Sequence, residues 1–304
     1  MQFHQLRYFV TVAETRHFTR AAEAMHVTQP SLSQQIRALE HELGADLFLR
    51  ARGNITLTDA GEALLPMARR ILADADAARR EVQELAELRR GHVRLGATPS
   101  LCTGLLPDVL RTYHRQYPGI QLLVQESGSH DLVRDLARGA LDLALVVLPL
   151  PSPSPALTTE ELLREDLVVV SAPNLPAPGD GRQVRISDLE HEQLIMFRHG
   201  YDLRDLTVAA CRAAGFEPVF AVEGGEMDAV LGFARAGLGV AIVPGMVARN
   251  ADPGLRVTPI VSPSLQRTIA LAHRTDVALP RAAQEFRRTL LGRSGSGLPA
   301  IADS

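Results

Sequence analysis

The stretch from Phe18 to Leu43 constrains the fold more tightly than any other, because it reads as two helices separated by a very short turn. In the second helix Thr28 is placed as N-cap, and Pro30 falls in the first turn, where a missing N–H costs nothing. Leu32, Ile36, Leu39 and Leu43 then recur at helical spacing and predict one buried stripe. The other side carries Gln34, Arg37 and His41, with Ser31 and Ser33 on the flanks and Gln29 at the N-terminal tip. Gln and Arg make bidentate hydrogen bonds to base edges, and Ser reaches bases or phosphates. Ala21, Ala22 and Met25 let the preceding helix cross closely over this one. Such a pair is a helix-turn-helix, whose second helix enters the major groove of DNA. The plainer alternative is a solvated polar face on an ordinary core helix.

The surroundings favour the first reading. Upstream, Leu6, Phe9, Val10 and Ala13 supply a helix whose apolar face can cover the pair. Downstream, the run from Gly44 to Asp59 reads as a hairpin, with Gly53-Asn54 as the turn and Arg50 and Arg52 near its tip. A basic hairpin beside a recognition helix is a wing, placed to meet phosphates or a minor groove.

Leu6-Arg7-Tyr8-Phe9, Phe18-Thr19-Arg20-Ala21-Ala22, Thr28-Gln29-Pro30-Ser31-Leu32-Ser33 and Leu47-Phe48-Leu49-Arg50 together resemble the N-terminal signature of LysR-type transcriptional regulators. The resemblance runs to Thr58-Asp59-Ala60-Gly61 and continues more loosely through almost the whole chain. It implies double-stranded DNA as a partner, read from Thr28, Gln29, Pro30, Ser31, Ser33, Gln34, Arg37, Arg50 and Arg52. It also implies a homodimer or tetramer, a small-molecule effector and RNA polymerase as further partners.

Charge argues weakly against nucleic acid. The 304 residues carry a net −3, yet residues 1–58 hold six Arg against five acidic residues, and the remainder 26 against 30. A dimeric helix-turn-helix works with a few well-placed arginines, whereas non-specific binding needs a dense positive field. Cys102 and Cys211 make no disulfide framework, no signal peptide precedes Met1-Gln2-Phe3, and no apolar run reaches the length of a membrane span. The expectation is a cytoplasmic protein without a membrane segment.

From Thr58 one long helix is predicted, capped by Thr58 with Asp59 and Glu62 near its positive end. Leu64, Ala68, Ile71, Ala75, Ala78, Val82 and Leu85 form a heptad seam, the mark of a helix that packs along its whole length against another. That other helix is either its twin in a dimer, as the resemblance implies, or part of the chain's own C-terminal lobes. Arg89-Arg90-Gly91 ends it.

Beyond this hinge short strands and helices alternate, with helices expected at Leu101–Tyr117, Ser129–Arg138, Leu203–Ala214, Met227–Ala236 and Pro280–Leu291. Alternation of this kind implies α/β sheets. The fold expected is α/β: an N-terminal winged helix-turn-helix (1–58), a linker helix for dimerisation (59–90), and a two-lobed domain resembling the type 2 periplasmic binding proteins (91–292). Lobe I takes about 92–163 and 267–292, lobe II about 164–266, and residues 293–304 are read as a disordered tail.

In α/β sheets ligands sit beyond the carboxyl ends of strands, where helix N-termini offer unpaired N–H groups. Four segments match: Thr98-Pro99-Ser100-Leu101, Ser127-Gly128-Ser129, Phe197-Arg198-His199-Gly200-Tyr201, and Glu223-Gly224-Gly225-Glu226. The resemblance places an effector between the lobes at such segments, with Val147 included, and Ser100, Ser129 and Arg198 favour an anionic one. Each has a simpler reading: Ser100 and Ser129 as N-caps, Arg198 in a structural ion pair, Glu226 as a capping acid. Gly200-Tyr201-Asp202-Leu203-Arg204-Asp205 resembles the segment that holds the reactive cysteine of peroxide-sensing family members, but Asp202 stands at that position. A redox sensor is therefore disfavoured. No nucleophile motif, phosphate loop or metal-spaced Cys/His cluster is visible, so neither an enzyme nor a metal or organic cofactor is expected. The rivals are a solute-binding protein of a transport system, which residues 92–290 alone would fit, and an enzyme with an appended DNA-binding head.

Overall fold

The computed structural model describes residues 1–51, 54–84, 91–150, 156–250 and 254–294, and two compact units divide the chain close to residue 85. No described helix is long and apolar enough to cross a membrane. The expected tail at 293–304 lies almost wholly outside the described residues.

The first unit opens with α1 (Phe3–Thr15), α2 (Phe18–Ala24) and α3 (Gln29–Leu43). Leu6, Phe9 and Val12 of α1, Ala21 and Ala22 of α2, and Leu32, Ile36 and Leu39 of α3 close on one another almost without exposed surface. Burying each of the larger aliphatics contributes about 1.5–3 kcal/mol. Val10 and Ala13 are only partly buried against this core, whereas Val12 is fully buried in it. Leu43 departs from the expected stripe: it is 42% exposed. The helix ends at Gly44 in the left-handed conformation (φ 68°), and the chain turns away before Leu43 can reach the core. Glu40 is buried instead, its carboxylate accepting the Leu47 N–H at 3.0 Å and so tying the helix end to the following strand.

The hairpin β1 (Phe48–Ala51) and β2 (Asn54–Leu57) pairs antiparallel with Phe48 opposite Leu57 and Arg50 opposite Ile55. Phe48 anchors it, its ring 5.4 Å from Phe9 and 5.8 Å from Phe18. Thr58 caps α4 (Asp59–Glu84) by accepting the Gly61 N–H at 3.1 Å. Gly61 lies so close to the Leu47 carbonyl that a Cβ there would collide with it. This contact presses the start of α4 onto the hairpin. Ala68 is then fully buried in the helical head, and Leu64, Leu65, Ile71 and Leu72 pack against the same core. Arg69 adds an ion pair to Glu14 of α1 at 2.8 Å.

The second unit alternates as expected, with differences in detail. The single helix expected over 101–117 is two, α5 (Pro99–Gly104) and α6 (Leu106–Gln116). Gly104 backs directly onto Met246, and Pro107 can donate no N–H, so the axis breaks between them. β3 (Gly91–Ala97) lies parallel to β4 (Ile120–Glu126) and to β5 (Leu143–Leu148), with α7 (Ser129–Ala137) between the last two. β6 (Leu157–Ser171), at 15 residues, is the longest of the described strands. It runs antiparallel to β11 (Gln266–Arg274) along the whole of that strand. These two long strands tie lobe I to lobe II.

Lobe II contains β7 (Gln193–Phe197), α8 (Asp202–Ala213), β8 (Val219–Gly225), α9 (Met227–Arg235) and β9 (Ala241–Pro244). It also holds α10 (Gly245–Asn250) and β10 (Arg256–Pro259), which periodicity did not reveal because each is a single turn or four residues long. β9 and β10 both pair with the far half of β6, and α11 (Arg281–Ser294) follows β11. One continuous apolar core runs from Val93 and Leu95 through Val169 to Phe197, Val230 and Ile242, so the two lobes share their interior.

Candidate nucleic-acid interface and interlobe site

On α3 the apolar stripe turns one face inward and leaves Thr28, Gln29, Pro30, Ser31, Gln34 and Arg37 exposed, with Ser33 half-buried. Gln29 Nε2 donates to Ser33 Oγ at 2.8 Å, a bridge of one helical turn that holds both side chains on the outer surface. Thr28 has the extended backbone of an N-cap, but its side chain accepts no capping hydrogen bond. In the hairpin, the Arg50 side chain and the whole of Arg52 lie outside the described residues.

The heptad seam divides. Leu64, Ala68 and Ile71 pack on the chain's own helical head, which neither expected partner, a twin helix or the C-terminal lobes, anticipated. Further along α4, Ala75 is half-buried and Ala78 exposed, while the Val82 side chain and Leu85 lie outside the described residues. The seam thus begins as an intramolecular interface, and Ala78 further along it is exposed.

In the second unit the candidate residues of both lobes meet, though in other pairings than expected. Gly128 of lobe I lies against the Gly200 carbonyl of lobe II, and a Cβ at Gly128 would overlap that oxygen. This close approach brings the start of α7 to the start of α8. Ser129, fully buried, donates from Oγ to Asp202 Oδ2 at 2.8 Å and from its N–H to the same oxygen at 3.3 Å. Ser129 Oγ accepts in turn the Val147 N–H at 3.0 Å, which fixes the direction of its proton toward Asp202. Ser127 turns to Asp131 at 3.3 Å.

Ser100, also fully buried, accepts from Arg267 Nη1 at 2.9 Å and lies 3.4 Å from Thr98 Oγ1. Arg267 spends its other nitrogens on Glu165, at 2.8 Å from Nε and 2.5 Å from Nη2. The remaining Glu165 oxygen accepts the Met246 N–H at 3.3 Å. Arg267 and Glu165 face each other across the β6–β11 ladder. Sequence reasoning missed both, although a charge of each sign inside two apolar strands was the available signal, since buried charges persist only when paired. Pro99 and Leu101, the neighbours of Ser100 in α5, are buried as well.

Arg198 does not reach for a ligand. It pairs with Glu226 of its own lobe and donates to the His199 carbonyl at 3.1 Å. His199 is exposed, 3.6 Å from Glu223, which also takes Arg204 at 3.2 Å. Tyr201 stacks on Phe197 with ring centroids 4.7 Å apart. Its hydroxyl is buried beside Ser100. Burial raises the Tyr201 hydroxyl pKa, so the phenol stays neutral. Burial also raises the Asp202 carboxyl above its ordinary value, against the opposing pull of the Ser129 hydrogen bonds and of Arg267, while Asp205 adds to the rise. Burial pushes Cys102 up to about 12, with Glu126 adding to it, and Cys211 to about 11, with Glu217 adding to it. Both thiols are therefore poor nucleophiles. No group of three or more His, Cys, Asp or Glu side chains that could hold a metal ion occurs among the described residues.

Comparison with known proteins matches residues 3–62 to the model of the bacterial regulatory helix-turn-helix proteins of the lysR family, and residues 86–294 to the LysR substrate binding domain. The transcriptional dual regulator GltC of Bacillus subtilis is 33% identical over 94% of this chain and 95% of its own length. The DNA-binding transcriptional dual regulator OxyR of Escherichia coli is 30% identical, covering 96% of each. Among solved structures, a full-length OxyR variant from Pseudomonas aeruginosa superposes with a TM-score of 0.72 at 29% identity, over 95% of this chain and 94% of that one. Full-length CbnR in complex with its target DNA superposes at 0.70 and 26% identity, over 97% of this chain and 100% of that one.

Proposed function

The chain belongs to the LysR family of DNA-binding transcription regulators with an effector-binding domain, and from that premise we propose which of its parts read DNA, pair and sense. Gln29, Ser33, Gln34 and Arg37 contact base edges, with Thr28, Pro30 and Ser31 against the backbone and Arg50 and Arg52 of the hairpin on phosphates. The observation that carries this reading is the exposed polar face of α3 set directly over a closed apolar core. The existence of a CbnR complex with its target DNA supports the same use of the head.

The protein acts in the cytoplasm as a homodimer or tetramer through α4, with Ala75, Ala78, Val82 and Leu85 carrying the contact. The effector is a small molecule bound where Thr98–Leu101, Ser127–Ser129 and Val147 meet Phe197–Tyr201. Its binding shifts the population of interlobe angles, and α4 passes the change to the spacing of the DNA heads and to RNA polymerase. The protein is not an enzyme and uses no metal or organic cofactor. The expected negative charge of the effector rested on Ser100, Ser129 and Arg198, and each of these is engaged within the chain.

A genome-wide binding map of the wild type and of Gln34→Ala, each with and without candidate metabolites, tests the whole reading. The expected result is discrete sites whose occupancy changes with one metabolite and whose sequence preference relaxes in the variant. Identical maps for both proteins would overturn the assignment of α3.

A further inference from the structure

The arginines at the lobe junction are already matched to carboxylates of the chain, and the match leaves an anion no free guanidinium among them. Three arginines stand there, and each has a carboxylate: Arg198 with Glu226, Arg204 with Glu223, Arg267 with Glu165. Asp202 is a fourth carboxylate, and its partners are the hydroxyl and the backbone N–H of Ser129. Those two donors at the start of α7 are what a ligand carboxylate would use, since a helix N-terminus and an oriented hydroxyl both favour negative charge. Val147 donates to Ser129 Oγ from behind, so that the hydroxyl proton can point only forward, into the carboxylate.

We propose that Asp202 is a tethered carboxylate that occupies the anion position of the interlobe site and clasps lobe II to lobe I. The inference rests on the reading of this junction as the effector site and names its regulation. An effector carboxylate would have to displace a group that is covalently held in place, and would enter a junction with four carboxylates against three guanidiniums. The effector therefore presents a neutral or cationic hydrogen-bonding group here. Two groups await it: the buried Tyr201 hydroxyl beside Ser100, and Glu226 Oε2, which lacks a hydrogen bond among the described residues.

The test uses full-length protein, sodium acetate as probe, and hydrogen exchange followed by mass spectrometry at fixed ionic strength. In the wild type, residues 127–132 and 198–204 are protected, and acetate changes nothing, because the position is filled. In Asp202→Ala these segments exchange roughly ten- to hundred-fold faster, the scale of one lost charge-assisted hydrogen bond. Millimolar acetate, but not chloride, then restores protection, and Ser129→Ala in the same background abolishes the restoration. Asp202→Ser, which keeps a residue suited to a helix start, is a second background in which acetate acts likewise. Acetate that protects the wild type as much as either variant, or that leaves both variants unaffected, overturns the proposal. DNA binding is scored separately: a footprint that responds to no metabolite, alongside acetate rescue of Asp202→Ala, would sink the sensing reading and leave the clasp standing.

Discussion

Single side chains divide sharply into those that sequence pattern exposes and those that only three dimensions reveal. The outward face of α3 follows from spacing alone, because Leu32, Ile36 and Leu39 fix which way the helix is turned. Gln34→Ala is expected to cost about 1–3 kcal/mol of binding to the specific site and to relax discrimination at one base position. Quantitative footprinting on the operator and on single-base variants of it reads both effects. The Asp202 contact with Ser129 was not legible, since it joins residues 73 positions apart through a side chain whose local context reads as an ordinary first-turn acid. Burial raises this carboxyl in the folded chain. The native state thus binds that proton more tightly than the unfolded chain does, and stability falls as pH climbs from the ordinary carboxylate value through the raised one. Ser129 and Arg267 oppose the shift and Asp205 adds to it. Urea midpoints of the wild type should show this decline with rising pH, and Asp202→Asn should lack its share of it.

At the level of elements, period and punctuation gave most of the layout. Helices stopped by Gly44 and Gly139, both in the left-handed conformation, end where those glycines require. The elements that escaped were α10, β10 and the first half of β6, each too short or too polar for a periodic signal. A second kind of failure is instructive: the seam of α4 is regular, but regularity does not say what lies opposite. Leu64, Ala68 and Ile71 face the helical head, so a charge at Ile71 would damage that head before it tested any dimer. Ala78, exposed within its own unit, is the cleaner site. Ala78→Glu is expected to leave the melting of the head unchanged and to split the oligomer, since an unpaired charge buried at a helix–helix contact costs about 3–5 kcal/mol. Sedimentation velocity that finds the wild-type oligomer would show that this part of α4 pairs with nothing.

For the molecule as a whole, two units with separate interiors predict separate transitions. The lobes of the second unit share one apolar core, from Val93 to Ile242, so they should melt together although they hinge about two strands. Calorimetry of the full chain should resolve two cooperative unfolding events, and three would mean that the lobes unfold independently. The division near residue 85 also differs from a boundary at residue 58, the end of the hairpin. Because Ala68 and its neighbours complete the head's interior, a fragment ending at residue 58 should expose Phe9 and Leu39 and aggregate, whereas one ending at 84 should fold, as circular dichroism and gel filtration would register. The same packing has a mechanical meaning. Gly61 on the Leu47 carbonyl and Arg69 on Glu14 join the start of α4 to the chain before the hairpin and to α1. A rotation applied to α4 should therefore turn the helical head with it, like a key turned by its bow.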